Sequence, residues 1–399
     1  MRAPGLVVDV GWVNGLAAIR SLGRAGIPVI AVDHRQSALG FRSRYARPVV
    51  SPDPQDEEAF VSFLAGLEVD APAPVFATHD EPLNAIARGA ERLGGKFLYP
   101  FPPWEVLARI QTKRGQLEAA RAAGVPVPRT AYPASVEEAR AAGDELGYPV
   151  LVKPSSTEGF KRRFGRQAFR CDGPREVAAA FVDAEPYEPM VQEVVPGGDE
   201  ELYTLGSYLA ADGEALGLFC GRKLRQTPPG VGTCRVGEAV WVEEVVEQGL
   251  ELLRALEHKG LSQVEFKRDR RDGSFKLMEV NPRLWQWHGL ASACGVDLPL
   301  IAYRDLTGER PAPVSMNGRR RRWAITLLPG EAPAPQRPPY VDAVFARDDL
   351  KPALVQVARL LRPRRRLRRR SQAGRASPAR PSETTGRDEV RQKIDPWHR

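Results

Sequence analysis

Cysteine is scarce in this chain. Cys171, Cys220, Cys234 and Cys294 are the only four among 399 residues, and none are spaced C-x-x-C. Scattered thiols of this kind read as reduced residues and exclude a zinc ribbon or a disulfide scaffold. The five histidines form no H-E-x-x-H or other ligand pattern, which removes the common zinc hydrolase classes. No apolar run approaches the ~20 residues that a membrane-crossing helix needs. A hydrophobic content of 42% suits a globular body and is too low for a multi-span membrane protein. The start, Met1-Arg2-Ala3-Pro4, enters a short strand pattern instead of a signal peptide, so a cytoplasmic protein is expected. There is no internal repeat.

Charge is unbalanced in one place only. The formal net charge is +8, and eight arginines (359, 362, 364, 365, 366, 368, 369 and 370) account for all of it. The rest of the chain is neutral overall, so basicity is a property of the tail and not of the body. At this length two or three cores are expected.

The opening segment reads as α/β. Leu6–Val10 is a strand, Leu16–Ala25 a helix and Val29–Asp33 the next strand, a βαβ unit with a Rossmann-like look. The turn between them, Gly11-Trp12-Val13-Asn14-Gly15, is G-x-x-x-G and not G-x-G-x-x-G, so a dinucleotide reading is weak. Pro74–Thr78 followed by His79-Asp80-Glu81 reads as a strand end opening a helix. Ligands favour such carboxyl ends, and capping or local structure is an equal reading of His79 and Asp80.

The most informative stretch is Lys276-Leu277-Met278-Glu279-Val280-Asn281-Pro282-Arg283. Glu279 and Asn281 lie two apart on a strand pattern and so share a face. A carboxylate beside an amide oxygen, with a guanidinium beyond, suits Mg²⁺ and phosphate. Upstream, Val264-Glu265-Phe266-Lys267 is a second strand, and the polar turn Asp269–Ser274 joins the two as a hairpin. Glu265 then faces Glu279, and a divalent cation relieves their repulsion. The plainer reading is a surface hairpin with stray charges. Tyr148–Ser156 (YPVLVKPSS) places Lys153 at the end of an apolar strand, where it suits phosphate or snorkels at a strand edge.

Five elements in order resemble the ATP-grasp superfamily, near its carboxylate–amine ligases. They are Thr112-Lys113, the turn Ala123–Pro128 (AGVPVP), Pro149–Pro154, Met190–Gly197 (MVQEVVPG), and Glu265 with the E-x-N-P-R run. The resemblance covers roughly residues 1 to 310. It implies a Rossmann-like domain (1–108), a small lobe with linker helices (109–192) and a large lobe with the metal site (193–310). A C-terminal extension (311–361) and a basic, disordered tail (362–399) follow.

The resemblance also implies roles. Lys113 and Lys153 contact ATP phosphates. Gln192, Glu193, Val194 and Val195 form the strand that receives adenine, mainly through backbone groups. Glu200 meets the ribose, with Glu201 as its rival. Glu265, Glu279 and Asn281 hold Mg²⁺ or Mn²⁺, and Arg283 holds the transferred phosphoryl group or the acyl phosphate. The run Cys220–Cys234 resembles a branch segment near substrate, which points to Arg222 and Lys223, with Arg225 behind them. The activity implied is ATP-dependent joining of a small-molecule carboxylate to an amine. Kinase-like or carboxylase chemistry on the same site is the alternative, and a nucleotide-binding regulatory module is a third. The complete set of lysines and acids argues against that module. Dimers are common in the family.

Ser155–Arg166 (SSTEGFKRRFGR) is expected to be a mobile basic lid loop, which would keep water from a reactive intermediate. Trp285, Trp287 and His288 are either an acceptor wall or core. Trp323–Leu328 is expected to be a last strand, and Arg347–Leu361 a helix. With the arginines that follow, that helix could bind an anionic membrane or nucleic acid, or the tail is simply solvated.

Overall fold

Up to residue 98, short β-branched runs alternate with amphipathic helices. Such a pattern produces a parallel sheet, since every strand must be re-entered from the same end. The computed structural model describes residues 2–155, 157–230, 232–316, 318, 320–326 and 340–361. Its first part contains β1 (Gly5–Val8), α1 (Val13–Arg24), β2 (Val29–Asp33), β3 (Ala46–Val50), α2 (Glu57–Gly66), β4 (Ala73–Ala77), α3 (Asp80–Arg88), α4 (Ala90–Leu93) and β5 (Phe97–Leu98). The strands pair in parallel in the order β3-β2-β1-β4-β5. Side chains of β1 alternate between two cores: Leu6 and Val8 join Phe60 and Leu64, while Val7 joins Leu16, Ile19 and Leu22. The expected βαβ unit is therefore present, with its helix starting three residues earlier than the sequence suggests.

Two linker helices follow, α5 (Trp104–Ile110) and α6 (Lys113–Ala122). Thr112 caps α6, its hydroxyl accepting from the Gly115 amide at 3.1 Å. The next unit holds β6 (Thr130–Ala131), α7 (Val136–Leu146), β7 (Val150–Lys153), α8 (Thr157–Phe164), β8 (Phe169–Cys171), α9 (Pro174–Ala184) and β9 (Met190–Glu193). Its sheet is antiparallel, ordered β6-β9-β7-β8. Ser135 caps α7 as expected, through the Glu138 amide. The expected lid loop is a correction: most of it is α8. Phe160 and Phe164, four apart, pack as tilted rings with centroids 4.7 Å apart and meet Phe169 and Tyr187, and this aromatic anchor holds the segment as a helix.

The third unit holds β10 (Leu202–Leu209), β11 (Ala215–Thr227), β12 (Thr233–Ala239), α10 (Glu243–Ala255), β13 (Gly260–Arg268), β14 (Phe275–Asn281), α11 (Gly289–Ala293) and α12 (Leu298–Leu306). Short pieces complete it: β15 (Val314–Ser315), β16 (Arg322–Ala324), β17 (Tyr340–Asp342) and α13 (Lys351–Leu361). The large sheet runs β14-β13-β10-β11-β12-β16-β17, with β15 beside β11. One face packs on α10 through Leu205, Val264, Phe266 and Leu252. The other face contributes Phe219, Trp285 and Trp287 to the core shared with α1. Gly206 belongs to this second face, where a Cβ would lie 2.0 Å from the Trp285 ring. Residues expected to form a separate extension thus add β16 and β17 to the large sheet. The expected strand 323–328 is shorter, and residues 327–328 and the tail 362–399 lie outside the described residues.

The end of this region returns to the beginning of the chain. Asp349 Oδ2 accepts from Arg20 Nε at 2.9 Å and from the Ser43 hydroxyl at 2.8 Å, and its Oδ1 accepts from the Arg44 amide at 2.9 Å. Arg20 also donates to the Val344 and Asp349 carbonyls.

Candidate active site

The β13–β14 hairpin forms, and its register decides the site. Gln263 lies opposite Asn281 and Glu265 opposite Glu279, so all four side chains share one face. Gln263 Nε2 donates to Glu265 at 2.8 Å, and Asn281 Nδ2 donates to Gln263 Oε1 at 3.2 Å. Gln116, from α6, brackets β14 by accepting from the Val280 amide and donating to its carbonyl, both at 2.9 Å.

Lysines from two other units reach these acids. Lys113 Nζ lies 2.9 Å from Glu279, and Lys223 Nζ lies 2.8 Å from Glu265. Burial opposes ionisation of Glu279, but Lys113, Arg283 and Lys223 outweigh it and hold the group at about 2. Burial also depresses Lys223, and Glu265 more than offsets this, so its pKa is raised. The Glu279 side chain keeps 33% exposure, so its carboxylate is reachable.

Lys153, at the end of β7, donates to Gln192 at 2.7 Å. Burial first and the neighbouring Lys113 second push its pKa down to about 7, with Glu279 opposing. Its ammonium is therefore poised to gain from an anionic ligand. The Lys113 amide also donates to the Ser155 carbonyl at 3.0 Å, which ties α6 to the end of the β7 loop. Arg283 makes a two-pronged contact with Asp80 at 2.6 and 2.8 Å and donates to Asn281 Oδ1 at 3.1 Å. The assigned residues Lys113, Lys153, Lys223, Gln192, Glu265, Glu279, Asn281 and Arg283 thus meet between the three units.

A hard divalent cation fits this donor set, since it offers carboxylate and amide oxygens on one face. Among the described residues no cluster of three or more His, Cys, Asp or Glu side chains is placed to hold a metal ion. The complement here is two acids and an amide, the sparse protein share that Mg²⁺ accepts when phosphates and waters complete its shell.

Other assigned residues lie elsewhere. Arg222 is a correction: it alternates with Lys223 along β11 and so projects from the opposite face, where it pairs with Glu238 at 2.6 Å. The Glu193 side chain is held by Arg271 at 2.8 Å and Lys276 at 3.1 Å, within a network that includes Asp269. Burial works against its charge, but the Arg129 amide, Arg271 and Lys276 hold it at about 2. Val194 and Val195 continue from β9 into the turn at Gly197. Glu200 and Glu201 share one partner, Arg270, at 2.6 and 2.8 Å. Trp285 and Trp287 are 2% and 1% exposed, so they are core and not an acceptor wall.

Several participants escaped the sequence reading. Gln263 bridges the acid pair to Asn281, and its position two before Glu265 was the available signal. Asp80 seats Arg283 across 203 residues, which no local pattern reveals. Beside it His79 Nδ1 lies 3.0 Å from Asp9, which also pairs with Arg35. Asp9 has a left-handed φ of 62°. Burial alone would lower the His79 pKa, but Asp9 raises it. These groups line the carboxyl ends of β1 and β4, next to Arg283.

Comparison with known proteins fits this geometry. A family model of the carbamoyl-phosphate synthase L chain, ATP binding domain, matches residues 239–310, which include both acids and Arg283. D-aspartate ligase of Enterococcus faecium is 23% identical over 256 residues, covering 59% of this chain and 59% of that ligase. The chain thus spans less than two thirds of that relative. A biotin carboxylase–β-γ-ATP complex from Campylobacter jejuni superposes with a TM-score of 0.63 at 17% identity, over 77% of this chain and 71% of the other. An ADP complex of purK, N5-carboxyaminoimidazole ribonucleotide synthetase, gives 0.62 at 18% identity, over 79% and 80%. At these identities the structural likeness is one of fold.

Proposed function

We propose, for a chain that has the ATP-grasp fold, that it is an ATP- and Mg²⁺-dependent ligase that activates a small-molecule carboxylate as an acyl phosphate for attack by an amine. The observation that carries this reading is the facing pair Glu265 and Glu279, each paired to a lysine from a different unit.

Glu265, Glu279 and Asn281 would hold the cation, whose chemistry is to neutralise phosphate charge and align the phosphate oxygens. Lys113, Lys153 and Lys223 bring three ammonium groups to the same cleft and offset the charge that builds on a transferring phosphoryl group. Lys113 and Lys223 exchange their carboxylate partners for phosphate oxygens when the nucleotide binds. Arg283, held in place by Asp80 and Asn281, presents a planar fork to a carboxylate or an acyl phosphate. The strand from Gln192 to Val195 receives adenine, and Glu200, the more exposed of the acidic pair on Arg270, meets the ribose. The amine adds to the activated carbonyl and phosphate leaves.

D-aspartate ligase, one of the relatives, is named for an amino-acid substrate. Amino acids are therefore the first amines to try. An ADP-release screen with pooled carboxylic acids, bicarbonate included, against pooled amines tests the reading, with mass spectrometry of the product. ADP release that requires both pools supports it. Release with a hydroxyl acceptor and no amine would point to kinase-like chemistry, and failure to bind any purine triphosphate with Mg²⁺ would overturn the reading.

A further inference from the structure

The helix α13 is turned the wrong way round. An amphipathic helix on a globular body normally turns its apolar stripe inward. Here Pro352 and Gln356 face the body and are buried, and the Arg359 guanidinium donates to the Ser37 carbonyl. Leu350, Leu354, Val357 and Leu361 recur at helical spacing and face outward, at 47%, 67%, 39% and 77% exposure. Phe345, at 53%, lies just before them. Five of the eight large hydrophobic side chains exposed among the described residues therefore fall within 17 positions.

This orientation is not a loose docking. Asp349, at the foot of the helix, is locked by Arg20, Ser43 and the Arg44 amide. Arg24 and Tyr45 hold Asp348 at 2.8 Å, so both acids of the segment are already engaged. Directly after Leu361 the sequence is Arg-Pro-Arg-Arg-Arg-Leu-Arg-Arg-Arg, residues 362–370.

We propose that the outward face of α13 is a peripheral docking surface for an anionic phospholipid bilayer, the arginine-rich sequence that follows it supplying the charge complementarity. The exposed stripe enters the boundary between headgroups and acyl chains, and the positive charge of the following sequence favours an anionic surface. A polyanion without an apolar phase, such as nucleic acid, would engage the arginines and leave the stripe in water. A second copy of this chain would cover the stripe but bring two arginine runs together. Among the described residues no helix is long and apolar enough to cross a membrane, so the surface lies on the bilayer. It does not depend on the ligase reading.

The test is co-sedimentation of the full chain with phosphatidylcholine vesicles and with vesicles that also contain phosphatidylglycerol, at low and at physiological salt. Binding stronger by about tenfold on the mixed vesicles is expected, weakening with salt. Leu354→Glu with Leu361→Glu should reduce it about tenfold at an unchanged melting temperature. Because the four native cysteines are buried, Leu354→Cys can carry an environment-sensitive dye, whose emission should shift blue on mixed vesicles only. Equal binding to both vesicles, or none at low salt, overturns the proposal. So does wild-type binding by the double glutamate variant, which would assign the affinity to charge alone. A duplex DNA fragment that binds while vesicles do not, or a dimer that the glutamates convert to a monomer without changing vesicle binding, would give the surface to another partner.

Discussion

Asp349 and Glu279 are both carboxylates paired to a basic side chain from a distant part of the chain, yet they do opposite work. Asp349 is 1% exposed, and its oxygens accept from a guanidinium, a hydroxyl and a backbone amide. With three donors on it and almost no exposure, this carboxylate is not open to a ligand, and removing the acid would strand the buried Arg20. Glu279 is 33% exposed and is held chiefly by one lysine. An ammonium on a flexible stem moves to a phosphate at little cost, whereas a multiply bonded guanidinium does not. Saturation therefore marks the pair that fastens the chain's end to its beginning, and a single exchangeable contact marks the pair suited to binding.

The largest expected effect breaks the binding side of this comparison. Glu279→Gln should lower ADP formation by roughly a hundred- to a thousandfold without shifting the thermal midpoint. Unchanged turnover would remove the carboxylate from the site. Asp349→Ala should act in the reverse sense, costing about 3–5 kcal/mol of stability by leaving a buried charge unpaired. Nucleotide affinity of the folded fraction should stay as in the parent, and a denaturant midpoint equal to the parent's would show that the clamp does not hold.

Gly206→Ala should cost about 1–3 kcal/mol, because the added methyl overpacks the Trp285 ring, and chemical denaturation reads it directly. Lys153→Ala should weaken nucleotide binding about tenfold, or about 1.4 kcal/mol, by calorimetric titration. Lys153 is depressed to about 7 in the ligand-free protein, and phosphates favour its charged form. Binding above about pH 7 should thus take up a proton. Heats measured in two buffers of different ionisation enthalpy will show the uptake, and Lys153→Met should abolish it.

The smallest effect concerns His79. Its folded pKa is raised, so its contribution to stability is complete below the unfolded value. That contribution is lost as pH rises through the folded value. Urea midpoints between about pH 5.5 and 8.5 should show the decline, and His79→Asn should flatten it. A parent and variant with parallel profiles would exclude the pairing with Asp9.

Much of the site was legible because strand alternation is a local rule. Glu279 and Asn281 two apart, and Glu265 across a polar turn, placed three oxygen-bearing side chains on one face before any fold was known. The same rule, applied within β11, would have separated Lys223 from Arg222, which the family segment had grouped. α8 was missed because Gly159, Gly165 just beyond it and the basic residues read as a loop, while Phe160 and Phe164, the helical signal, needed Phe169 and Tyr187 to complete their cluster.

What the linear chain determined by itself was periodicity: which runs are strands, which side chains share a face, and where charge concentrates. These follow from backbone geometry, which every few residues enforce on their own. Tertiary structure alone decided which charges meet. Asp80 found Arg283, Lys113 found Glu279 and Arg20 found Asp349 only once sheets and helices had packed. An ion pair is a matter of distance and burial, and neither is encoded at the spacing of neighbouring residues.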